Sequence, residues 1–104
     1  MPLKNLRPNQ GVKITHSTLV LTAIVRSTQG IGEERRVGIE FRAEGKLEGT
    51  EHRTLTHDCS YVVDNGEDLI KFRIPNSRGT QTRAPVFITA PNTYAISRPA
   101  VYDS

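Results

Sequence analysis

Three groups of side chains in this sequence could do chemistry. His52, His57, Asp58 and Cys59 lie close together, and imidazole, thiolate and carboxylate are the ligands that zinc takes. On an extended chain His57 and Cys59 share one face while His52 points to the other. Neither a Cys-x-x-Cys nor a His-Glu-x-x-His spacing is present, and His16 is the only further histidine. No metal is expected, and Cys59 reads as a small buried apolar residue. Asp64, Glu67 and Asp68 surround an Asn-Gly pair without the alternating ligand spacing of a calcium loop, so they read as a solvated acidic turn. Gly30-Ile31-Gly32-Glu33-Glu34-Arg35 opens like a dinucleotide-binding loop. It lacks the third glycine and puts acids where a pyrophosphate would sit.

Catalysis needs a nucleophile, a base and an orienting group converging in a pocket. Nothing marks a strained nucleophile turn or a pair of carboxylates, and 104 residues leave little chain for a pocket once a core is made. The expectation is a protein that is not an enzyme and takes no cofactor.

The basic residues form the more suggestive set. Lys71 and Arg73 alternate with Ile70, Phe72 and Ile74, so an extended chain turns the two cations to the outer side. Arg36 and Arg42 occupy the outward side of another predicted strand, in the company of Glu40 and Glu44. Arg78 and Arg83 lie on a loop rich in glycine, threonine and serine. Cations on a sheet face and an adaptable loop suit phosphate contacts, which dominate nucleic-acid affinity. The predicted contact residues are Lys71 and Arg73, with Arg42, Arg36, Arg78 and Arg83. Tyr61, Tyr94 and Tyr102 are available to stack on bases, whereas Phe41, Phe72 and Phe87 read as core. No RNA-recognition aromatic signature is visible.

Net charge is +3, and it is segregated along the chain. Residues 1–32 carry Lys4, Arg7, Lys13 and Arg26 and no acid. Residues 33–68 carry ten of the eleven acids against five bases, a local charge of −5, and residues 69–102 carry five bases and no acid. Unlike blocks permit attraction to a polyanion or pairing between copies of the same chain.

The element that must organise these groups is Leu19-Val20-Leu21-Thr22-Ala23-Ile24-Val25, uncharged and rich in β-branched residues. Both of its faces are apolar, the pattern of a strand covered on both sides. Arg36 to Glu44 is amphipathic with period two, its inner side being Val37, Ile39, Phe41 and Ala43. Thr50 to Val63 reads as one long polar extended segment. Asn65-Gly66 predicts a two-residue type I′ turn joining strands near 59–63 and 69–74. Short strands follow at 85–89 and 94–97. No stretch sustains helical spacing. The fold class predicted is all-β: about six mainly antiparallel strands in a single sheet, sandwich or small barrel. One domain spans 1–104, with an irregular arm at 1–11 and a short C-terminal tail at 99–104.

The lone cysteine argues for no oxidising compartment, and no apolar run approaches the roughly 20 residues of a membrane span. The expected setting is the cytoplasm or an assembled particle such as a virion. Expected partners are copies of the chain itself and nucleic acid, with no membrane. The competing expectation is a monomeric small-barrel module that binds RNA or DNA in regulation.

Overall fold

The uncharged run Leu19–Val25 occupies the centre of the larger of two sheets. The structure, a computed structural model, describes residues 3–76 and 82–102. Strand β3 (Leu19–Gln29) pairs antiparallel with β2 (Gln10–His16) on one side and with β4 (Arg36–Glu44) on the other. Leu19, Leu21, Ala23 and Val25 enter the core, while Ile24 and Thr22 on the opposite side are buried as well. Both apolar sides predicted for this run are therefore covered. Strand β5 (Gly49–Leu55) extends the sheet beyond β4, and two short strands, β9 (Ala95–Ile96) and β10 (Ala100–Val101), both pair with β2 at the other edge. At the β4 end Gly45 adopts φ +90°, and a Cβ there would overlap the Thr18 carbonyl, so this crossing needs glycine.

The second sheet has the order β1 (Leu3–Leu6), β8 (Ala84–Thr89), β7 (Leu69–Arg73), β6 (Tyr61–Asp64), again all antiparallel. Its inward residues, among them Leu6, Ile70, Phe72, Val86 and Ile88, join those of the first sheet in one core. Phe41 ties the layers together, stacking on Tyr61 at 4.3 Å and meeting Phe72 edge-on at 4.9 Å. Each fully buried Leu, Ile or Phe contributes roughly 1.5–3 kcal/mol by leaving water. Of the three arrangements expected, the sandwich is the one adopted, since the sheets do not close into a barrel.

Five local expectations are corrected. Within the predicted arm 1–11, Leu3–Leu6 is a strand that pairs with β8 from Leu6↔Ala84 to Leu3↔Phe87, and Leu6 is buried. The tail at 99–104 contributes β10. The segment 50–63 is two strands in different sheets, separated by a turn at Thr56–Cys59. That turn exposes Cys59, which had read as buried. Finally, Asp64 pairs with Leu69, so the β6–β7 connection holds four residues rather than two. Gly66 has φ +91° but Asn65 is not in the left-handed region, and its side chain instead caps the loop by accepting from the Glu67 and Asp68 amides at 3.0 and 2.8 Å.

Candidate nucleic-acid interface

Alternation along β7 turns Lys71 and Arg73 outward against buried Ile70 and Phe72. On β8 the residues Ala84, Val86 and Ile88 fill the core, so Phe87 and Thr89 turn outward beside them. The register sets Arg73 opposite Phe87 and Lys71 opposite Thr89. The Arg73 guanidinium lies over the Phe87 ring with Cζ 4.5 Å from its centre, a contact worth roughly 0.5–1 kcal/mol at an exposed site. Stacking through its flat face leaves a guanidinium's in-plane N–H donors for phosphate. Neither Lys71 nor Arg73 takes part in an ion pair among the described residues.

Arg83 continues the outward parity just before β8 and is exposed. Its carbonyl accepts a hydrogen bond from Nη1 of Arg35 at 2.6 Å. Arg35 itself is fully buried, so a guanidinium from the start of β4 pins the strand that carries Arg83. Arg78 lies outside the described residues. Leu3, Val62 and Leu69 share this outer side and are 45%, 47% and 60% exposed. The acid on the outward strand positions of this sheet is Asp64, whose Oδ1 accepts from the Gly66 amide at 2.8 Å.

The other two predicted contact residues are elsewhere. Arg36 and Arg42 project from the outer side of β4, on the opposite face of the sandwich. Arg42 is bound to Glu40, a carboxylate only 8% exposed. Arg26 reaches the same carboxylate through Nε at 3.4 Å, and His52 Nε2 lies 3.1 Å from it. Arg26 also donates through Nη1 to Asn9 Oδ1 and to the Tyr102 carbonyl, at 2.8 and 3.1 Å. It turns outward by alternation with core residue Val25, at the point where the pairing of β3 with β4 shifts between Val25 and Ser27. Burial raises the pKa of Glu40, but the hydrogen bonds and charges of Arg42 and Arg26 more than offset it, and the carboxyl stays below its usual range. Arg36 borders an open depression of about 530 Å³ together with Glu33, Glu34, Asp58 and His57. The glycine loop and the histidine-aspartate pair singled out in the sequence thus meet there, in mixed charge. Among the described residues no group of three or more His, Cys, Asp or Glu side chains is arranged to hold a metal ion.

The basic residues therefore divide into two sets. Lys71, Arg73 and Arg83 share one outer face without acidic partners among the described residues, whereas Arg42 and Arg26 share the single carboxylate of Glu40. Phe87, assigned to the core from sequence, belongs to the first set. The period-two pattern of Ala84, Val86 and Ile88 was the signal that could have placed it outside. No family model matches the chain, and neither the curated proteins nor the solved structures searched gave a match.

Proposed function

We propose that this chain is a non-enzymatic structural protein that assembles with copies of itself and associates with nucleic acid, in the manner of a coat or other virion component. The observation that carries the reading is the outer face of the four-stranded sheet. Lys71, Arg73 and Arg83 project from it, and the Arg73 guanidinium lies over the Phe87 ring at 4.5 Å. Cations on a flat β surface contact phosphates without selecting a sequence. The exposed Leu3, Val62 and Leu69 on the same side supply apolar area of the kind that subunits bury against each other.

The second reading is a monomeric nucleic-acid-binding module, and a specific feature favours it. Edge strand β5 places two charged residues, Glu51 and Arg53, on its inward side, where they bond to each other at 3.0 Å. Inward charges on an edge oppose edge-to-edge association. Size-exclusion chromatography with light scattering, read together with absorbance at 260 nm, tests both. A large particle carrying nucleic acid supports assembly, and an 11.6 kDa species that binds labelled RNA supports the module. A monomer with no affinity for RNA or DNA at low salt overturns both.

A further inference from the structure

We infer that the free edge of β6 accepts one added strand from an extended partner peptide in which apolar residues alternate with lysine or arginine. The inference is independent of the nucleic-acid reading, because it rests on the edge of β6. Phe41 of β4 stacks on Tyr61 of β6 at 4.3 Å, which sets β6 across from β4. Strand β5 lies one position further out, and β6 is the last strand of its own sheet. Tyr61 also donates to Glu51 and lies under Arg53, both of β5, so β6 bears on the β4–β5 pair, and among the described residues no strand pairs with its own outer edge.

Between the sheets, beside β6, a groove of about 360 Å³ is lined by Leu21, Phe41, Leu47, Tyr61 and Val63. Its rim carries Glu48, Glu51 and Asp64. Glu51 is engaged by Arg53 and by the Tyr61 hydroxyl. Glu48 and Asp64 are in no ion pair among the described residues. In antiparallel pairing, alternate residues of an edge strand turn their N–H and C=O groups away from the sheet, and a peptide that satisfies them augments it. Apolar side chains on the inner side of such a strand would cover the groove. Cationic ones on the outer side would fall beside Asp64, which is itself outward on β6. Pairing with β6 needs only the backbone groups along one side of an added strand. An extended segment fits.

The test uses the intact protein and the hexapeptide acetyl-Lys-Val-Lys-Val-Lys-Val-amide, with acetyl-Glu-Val-Glu-Val-Glu-Val-amide as its charge-reversed counterpart. Backbone amide spectra and hydrogen exchange are followed during titration. The cationic peptide should shift the amides of residues 48–51 and 61–64 and slow exchange along β6, with the β1 edge unchanged. Glu48→Gln combined with Asp64→Asn, the latter keeping an acceptor for the Gly66 amide, should weaken binding by roughly fivefold, about two exposed ion pairs' worth. Equal binding of the two peptides, perturbation centred on another edge, or no protection of β6 at millimolar peptide would overturn the inference.

Discussion

The side-chain amide of Asn65 donates to the Tyr94 hydroxyl at 2.6 Å, across 29 positions of sequence. Tyr94 in turn donates to Asp68 Oδ2 at 3.0 Å and stacks on His16 at 4.5 Å. Asn65 and Tyr94 are both buried. A loop of the smaller sheet is thereby fastened to the segment that enters β9 of the larger one. Buried polar groups cost free energy unless satisfied, and here each satisfies the other.

Removing this clasp should therefore cost more than one hydrogen bond. Asn65→Ala deletes the cap of the β6–β7 loop and the bond to the Tyr94 hydroxyl, which keeps Asp68 as its acceptor, and should destabilise by about 1–3 kcal/mol in a denaturant titration. Tyr94→Phe should cost less and change the pH profile. Burial raises the pKa of the Tyr94 phenol, the Asn65 bond opposes that, and the Asp68 and Glu67 charges add to it. A phenol raised on folding stabilises below its unfolded value and loses that contribution as pH climbs through the folded one. Alkaline unfolding should accordingly be less steep in Tyr94→Phe.

The glycine of the same loop gives a separate prediction. Gly66 sits at φ +91° with no atom within 4 Å of where a Cβ would be. A Cβ at this position meets no neighbour, so the cost of Gly66→Val comes chiefly from the backbone conformation, about 1 kcal/mol or more. An unchanged denaturation midpoint would show that the loop tolerates a different path.

Glu40 predicts the acid side. Its carboxyl is held below the usual range once the Arg42 and Arg26 contacts overcome the effect of burial. A carboxylate lowered on folding stabilises above its unfolded pKa and loses that contribution as pH falls through the folded one. Glu40→Gln should flatten the loss of stability below about pH 5 and lower stability at neutral pH, because Arg26 and Arg42 lose their shared partner. Thermal melts of both proteins between pH 2 and 7 check this.

For the proposed interface, Lys71→Ala with Arg73→Ala should leave the fold intact, since both residues stay off the core side. It should reduce RNA affinity with little change in sequence preference and shallow the salt dependence by roughly two counterions. Arg36→Ala should leave the slope alone, because that residue lies on the far side of the sandwich. Titrations of labelled RNA at several salt concentrations decide, and identical slopes for wild type and the double variant would remove Lys71 and Arg73 from the interface.

What could be read from the chain followed the strength of its periodicity. The span Arg36–Glu44 was legible to the residue because four inward apolar positions alternate with polar ones without interruption. The same rule placed Lys71 and Arg73 outward. It failed at Leu3–Leu6, where four residues next to a proline carry too few alternations to distinguish a strand from an arm, and where the partner lies far downstream. Asn65-Gly66 misled because the pair satisfies a two-residue turn locally, while the long-range bond to Tyr94 selects a wider loop. The division of the basic residues was invisible for a related reason. Parity states which residues turn away from a core, but not which of two sheets they belong to, and so Arg42 and Lys71 could not be assigned to opposite faces before the strand order was known.

Strand β1 pairs only with β8, Leu3 meeting Phe87 and Leu6 meeting Ala84. Strands β2 to β5, by contrast, are neighbours in sequence as well as in space. Closing a long loop costs chain entropy before any contact repays it, and distant pairings form late. The meander β2–β5 can therefore form during synthesis, whereas residues 3–6, which precede that meander, must wait for residues 84–87. Until they meet, one edge of β8 stands open along Ala84–Thr89, an apolar template for pairing with the wrong chain. The hazard in the life of this protein is the interval before its first strand finds its place.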